Sequence, residues 1–374
     1  MNEPNLSSKS IAYGAEGKEL TKDERPPIPG AQWRSPREAP FELRGFPWFN
    51  RDGVYRRLPK APAEPIPAMV DTLADCTAGG QIRFRTDSPA LYLSARLTGP
   101  ADMYHMPATG QCGFDCYVGG PAGPSYASTT SFPPGAVRYE AVLFQGFERA
   151  MRDVTIHFPL YQGVEEVKVG VAEGASVEPP RPFGGAGKLV FYGTSITQGG
   201  CASRPGMAYP SIVGRRLDQE CVNLGLSGNG KGEPALARLI SEIEGMELLV
   251  LDYVPNVTAE QFEETLPVFV DIVRAAHPTL PILVVSGIKY AMDAHKASVR
   301  DHRVRCRNFA RAFVARRNAE GDAAIAFLNG DTLLGRGYED CTVDGVHPTD
   351  LGFHRIGEAM AKAIRKKLAN VDVR

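Results

Sequence analysis

The stretch KLVFYGTSITQGG, Lys188 to Gly200, changes character half-way along. Leu189 to Tyr192 form an unbroken apolar run, short enough for a strand buried on both faces. Gly193 to Gly200 are small or polar for the most part and read as a turn leading into a helix, expected from about Ala208. A strand that ends in Gly193-Thr194-Ser195 presents the serine hydroxyl at the sheet's edge, where backbone N–H groups of the turn can face a reacting atom. The turn is not the G-x-S-x-G elbow, because its fifth position is Thr197. Alone it is ordinary loop chemistry, so the meaning of Ser195 depends on what else reaches it.

Downstream the same rhythm repeats. CVNLG, LLVLDY, PILVVSGI and AAIAFLNG are short apolar runs, and they alternate with the amphipathic stretches EPALARLISEIEG, TAEQFEETLPVFVDIVRAAH, ASVRDHRVRCRNFARAFVARR and a last helix after Thr349. Such alternation implies parallel strands joined by right-handed crossovers, with helices on both faces. Ligands in these sheets bind beyond the carboxyl ends of the strands, which directs attention to the loops there.

Upstream, from residue 41 to about 180, the period is two. Ile82 and Phe84, then Leu91, Leu93, Ala95 and Leu97, alternate with Arg83, Arg85, Tyr92, Ser94 and Arg96. Val154, Ile156 and Phe158, and Val167, Val169 and Val171, repeat the pattern. With Gly and Pro punctuation and no helical run, an antiparallel sandwich is expected. The chain therefore divides into a polar, proline-rich arm (1–40), a β-sandwich domain (41–182) and an α/β domain (186–374).

Bulk properties narrow the function. The 374 residues, 43% apolar, suffice for two cores, and a net charge of -1 gives no long-range field for nucleic acid or an anionic membrane. The seven cysteines are scattered, with no C-x-x-C pair, so reduced thiols are expected rather than a disulfide framework or zinc site. The first residues lack an apolar leader core and no run approaches the ~20 apolar residues of a membrane span. A cytoplasmic protein acting on a small molecule is expected.

The far loops supply chemistry for Ser195. DGVHP places Asp344 three residues before His347, so that the carboxylate can hold one ring nitrogen while the other takes a proton from Ser195. NLGLSGNG offers Gly225, Gly228 and Asn229, and LDYVPN offers Asn256; a glycine N–H and an asparagine amide are suitable donors to an oxyanion.

FYGTSITQGG, NLGLSGNG, LDYVPN and DGVHP, in that order, resemble the four blocks of the GDSL/SGNH hydrolase family. GFDCYV, with Gly113, Asp115 and Tyr117, and the earlier GFPWFNRDGVYRRLP resemble the subgroup whose N-terminal β-domain carries a G-x-D-L-Y motif. The resemblance implies a flavodoxin-like α/β/α hydrolase domain preceded by an all-β sandwich domain. It implies Ser195, His347 and Asp344 as a triad, with the N–H groups of Ser195 and Gly228 and the Asn256 amide as oxyanion donors. No metal or cofactor is required.

Thr194 stands where the family name has Asp, and Cys116 replaces the Leu of the second motif. The third block leads through Asp252 and Pro255 to Asn256 instead of reading G-x-N-D. A short-chain ester, such as an O-acetylated sugar, is the implied substrate. An acyltransferase with the same triad and a non-catalytic carbohydrate-binding protein are the alternatives; a phosphate-binding loop lacks the Gly-Lys-Ser/Thr it needs. His105, His157, His277, His295 and His302 show no metal spacing, Cys201 reads as a packing residue, and the basic run Val299 to Arg317 reads as a solvated helix face.

Overall fold

The N-terminal half is built from strands β1 (Ala31–Arg34), β2 (Glu42–Arg44), β3 (Gln81–Thr86), β4 (Leu91–Leu97), β5 (Asp115–Gly120), β6 (Gly123–Thr129), β7 (Arg138–Phe144), β8 (Arg152–His157), β9 (Val164–Ala172) and β10 (Val177–Glu178). The structure, a computed structural model, describes residues 30–120 and 123–369. One sheet has the order β1-β9-β4-β7 and the other β10-β3-β8-β5-β6, with β2 paired to β3. All pairings are antiparallel. Alternate side chains point between the sheets, so Ile82, Phe84, Leu91, Leu93, Ile156 and Val169 close one core, with Cys116 inside it as an apolar residue.

Two expectations for this half are corrected. The polar arm does not run to residue 40, because Ala31–Arg34 pair with β9 and the Trp33 ring lies against Gly170, where a side chain would obstruct it. Residues 1–29 of the expected arm lie outside the described residues. Helices also occur: α1 (Phe49–Asp52), α2 (Ala68–Ala74) and α3 (Ala108–Gln111). Seven residues cannot show a helical period convincingly, and α2 is held by tertiary burial of Val70 and Ala74.

In the C-terminal half, β11 (Lys188–Gly193), β12 (Glu220–Gly225), β13 (Met246–Asp252), β14 (Ile282–Val285) and β15 (Ile325–Leu328) form one parallel sheet of order β12-β11-β13-β14-β15. This is the flavodoxin-like arrangement, and its order reverses beside β11. The helices are α4 (Ser195–Gln198), α5 (Tyr209–Leu217), α6 (Pro234–Ser241), α7 (Ala259–Ala276), α8 (Ala297–Ala319) and α9 (Asp350–Ala369). Successive strand residues serve opposite layers. Val190 and Tyr192 pack with Leu236, Phe262 and Phe313 from α6, α7 and α8, while Leu189 and Phe191 pack with Ile212 and Phe353 from α5 and α9.

The two halves share these layers. Trp48, Leu58 and Val70 enter one, and Ala78, Met106 and Leu160 enter the other. The basic run on α8 departs in part from expectation: Arg303 is buried, held by Asp293 at 2.6 Å and by Asp331, and Arg307 also reaches Asp331. Carboxylates from two loops, Asp293 and Asp331, anchor Arg303 and Arg307, while Arg300, Arg305, Arg311 and Arg316 keep the solvated face that the spacing predicts.

Candidate active site

β11 delivers Ser195 to the end of the sheet. A side chain at Gly193 would collide with Thr197 and the Asp252 backbone, so only glycine lets the chain turn there. Thr194 is buried and extended (φ -107°), and its Oγ1 accepts the Ile196 N–H at 3.2 Å, capping α4. A neutral hydroxyl thus fills the capping place for which the family name writes a carboxylate.

Asp344 and His347 lie in the loop that enters α9. Oδ1 of Asp344 accepts the N–H groups of Val346 and His347 at 3.0 and 2.8 Å, and Oδ2 lies 2.7 Å from His347 Nδ1. The carboxylate therefore forms the turn and holds the ring at once, which is why three-residue spacing suits both tasks. Burial opposes ionisation of Asp344, but the ring contact and the two amides hold its carboxyl below the usual range. His347 Nε2 lies 2.9 Å from Ser195 Oγ. With Nδ1–H donated to Asp344, Nε2 is left as an acceptor facing the Ser195 hydroxyl.

Gly228 is left-handed (φ +67°) with open space where a Cβ would point, and its N–H and that of Ser195 have no partner among the described residues. Asn256 is arranged differently from expectation. Its Nδ2 donates to the carbonyls of Leu226 and Gly230 at 3.0 and 3.2 Å, so it clamps the Gly228 loop rather than standing open. Asn229 donates to Ser227 O at 2.7 Å, a local turn contact. Gly225 packs so tightly on α4 that a side chain would strike Gln198.

Several supporting residues were not singled out from the sequence. Gln198 donates to Leu160 O and accepts the Ser227 N–H, both at 3.1 Å, linking the Ser195 turn to the sandwich and to the Gly228 loop. Asn223 donates to Thr197 O at 2.8 Å and accepts the Gly225 N–H at 2.9 Å. The signal was present, since Asn223 is a lone polar residue in an apolar run. Asp252, at the end of β13, accepts from Tyr209 Oη at 3.0 Å; burial pushes its carboxyl up to about 7 against the Tyr209 and Thr197 hydrogen bonds.

The G-x-D-x-Y segment faces the other half of the chain. Asp115 is fully buried and binds Arg204 Nη1 at 2.7 Å, the Gly206 N–H at 2.8 Å and His157 Nδ1 at 3.0 Å. Tyr117 Oη accepts from the same Arg204 nitrogen at 2.6 Å. Burial keeps His157 neutral, so Arg204 is the countercharge of Asp115. The motif fastens the sandwich to the segment that follows the Ser195 turn.

Residues 187–365 match the model of the GDSL-like lipase/acylhydrolase family, and residues 31–177 match that of the GxDLY N-terminus of SGNH-type esterases. The chain belongs to the GDSL-like lipase/acylhydrolase family. No curated protein matches it. Among solved structures, a GDSL-like lipase from Bacteroides ovatus ATCC 8483 is 29% identical over 91% of this chain and 98% of its own, with a TM-score of 0.83. A salicylyl-acyltransferase from a tetracycline biosynthetic pathway is 22% identical over 92% of this chain and 98% of its own (TM-score 0.74). A family two carbohydrate esterase from Clostridium thermocellum, in complex with cellohexaose, is 16% identical over 78% of this chain and 93% of its own (TM-score 0.55). These last two likenesses concern the fold alone. Among the described residues no helix is long and apolar enough to cross a membrane.

Proposed function

We propose that this GDSL-family protein is a serine esterase that cleaves a short-chain ester, of acetyl size, through an acyl-enzyme. The observation that carries the proposal is the continuous path from Ser195 Oγ to His347 Nε2 at 2.9 Å and from His347 Nδ1 to Asp344 Oδ2 at 2.7 Å. His347 takes the Ser195 proton as Oγ attacks the ester carbonyl, and Asp344 stabilises the imidazolium that results. The unpartnered N–H groups of Ser195 and Gly228 receive the oxyanion. Asn256 fixes their geometry by holding the Gly228 loop, and joins as a third donor by releasing one carbonyl. His347 then protonates the leaving alcohol, and water, activated by the same imidazole, frees the acid.

The acetyl group and a sugar alcohol follow from the family resemblance, and the carbohydrate esterase of like fold supports that choice of probe. The test is hydrolysis of p-nitrophenyl esters from acetate to palmitate, alongside acetylated sugars, with wild type and Ser195→Ala. Turnover confined to short chains and lost in Ser195→Ala is the expected result; equal turnover by the two proteins would sink the proposal. Including an excess of a competing alcohol decides whether the acyl group passes to water or, as in an acyltransferase, to the alcohol.

A further inference from the structure

His105, Cys201 and His347 meet at one place although they come from three separate segments. His105 lies in the loop between β4 and α3, Cys201 follows α4, and His347 precedes α9. One ligand atom from each lies within 4.8 Å of the other two. The two imidazoles stand edge to face with centroids 5.5 Å apart. His105 Nδ1 is buried with no hydrogen-bond partner among the described residues, and Cys201 is buried in a left-handed backbone conformation (φ +74°). The proposed hydrolysis uses neither His105 nor Cys201.

We propose that these three residues form a reversible inhibitory site for a thiophilic divalent cation, with Zn²⁺ as the representative ion. Two imidazoles and one thiolate are the donor set Zn²⁺ favours, and three protein ligands leave its fourth position for water. Bonds of roughly 2.0–2.3 Å to nitrogen and sulfur place tetrahedral ligand atoms about 3.3–3.7 Å apart, so the cluster closes on the ion with shifts of about 1 Å. Asp344 already holds His347 Nδ1 at 2.7 Å, the outer carboxylate that a metal-bound imidazole uses, and this leaves Nε2 for the cation.

Binding displaces the Ser195 hydroxyl from Nε2 and releases the Cys201 thiol proton to solvent as the sulfur–metal bond forms; nothing is oxidised or reduced. Occupation of the site rests on the cluster alone. Inhibition rests in addition on the esterase reading, because it removes the lone pair that accepts the Ser195 proton.

Two readouts separate these parts. Co²⁺ added to full-length Ser195→Ala is expected to give the near-ultraviolet thiolate-to-cobalt absorption, and the Ser195→Ala/Cys201→Ser double variant is expected to lack it. Zn²⁺ is expected to suppress p-nitrophenyl acetate hydrolysis by wild type, reversibly with EDTA. His105→Ala and Cys201→Ser, still active without metal, should need about 10–100-fold more Zn²⁺ for half inhibition. Absence of the cobalt band, or equal Zn²⁺ sensitivity in wild type and both variants, would overturn the site. A cobalt band in Ser195→Ala together with a wild type that shows no esterase activity in the absence of added metal would support the site and overturn only the esterase reading.

Discussion

Arg57, from the N-terminal half, donates to the carbonyl of Gly225, the last residue of β12, at 2.5 Å. The same fully buried guanidinium reaches the carbonyls of Asn223 at 3.2 Å and of Leu73 and Cys76 at 2.6 Å. The planar fork of arginine suits several acceptors at once, and no carboxylate is needed. Replacing Arg57 by Met is expected to strand these carbonyls and cost roughly 3 kcal/mol or more. Arg57→Lys is expected to recover only part, since one ammonium cannot span the four acceptors. Thermal unfolding of the three proteins checks both statements.

Ser195→Ala should lower kcat by up to ~10⁶-fold, as in other serine triads, while leaving the melting temperature nearly unchanged. Labelling by a fluorophosphonate should vanish in parallel. Retained labelling at another residue would move the nucleophile elsewhere.

Asp344→Asn keeps an acceptor for the turn amides but offers the His347 ring the wrong hydrogen-bond partner. By analogy with the same change in a serine protease, kcat should fall about 10⁴-fold with little change in KM. A loss confined to KM would speak against a role in orienting the base.

Asn256→Ala frees the Leu226 and Gly230 carbonyls and loosens the Gly228 loop. Turnover should drop roughly 10²–10³-fold, the scale of one oxyanion donor. Asn229→Ala, which removes only a contact to Ser227 O, should stay within a few-fold of wild type. Steady-state kinetics on p-nitrophenyl acetate distinguish the two positions.

Asp252 gives a pH signature. Its folded carboxyl titrates at about 7 against an ordinary value of 3.8, so between these limits the folded state holds a proton that the unfolded state has lost. Stability from this group is complete below the lower limit and declines as pH rises to the upper one, by an amount on the order of 4 kcal/mol. Asp252→Asn should flatten that decline in melts recorded from pH 4 to 8. An unchanged slope would mean that Asp252 is ionised throughout.

The parallel sheet and the sandwich were legible because both depend on periodicity, which local sequence records: Leu189 to Tyr192 read as a strand buried on both faces, and Leu91 to Leu97 as one buried on a single face. The positions of Ser195, Asp344 and His347 were legible because Ser195 lies just past a strand and the other two share a short recognisable block ahead of a helix. What escaped was set by side chains meeting across great sequence distance. Nothing local to Arg57 announces four carbonyl partners, nothing in the α8 run announces Asp293 and Asp331, and nothing near Asn256 shows that its amide faces Leu226 and Gly230. The short helix α2 escaped for a related reason, since its stability comes from the neighbouring layer.

The grip of Asp115 on Arg204 and Gly206 bears on how such enzymes can be recombined. A chimera that joins the sandwich of one relative to the hydrolase sheet of another at the glycine-rich connection, Gly184 to Gly187, separates Asp115 from the Arg204 guanidinium that binds it and leaves a charge stranded at the seam. Transplants should therefore carry the 204–206 segment together with the sandwich, or exchange both ends of the pair. Soluble yield and ester turnover of hybrids built each way would reveal whether the seam tolerates anything less.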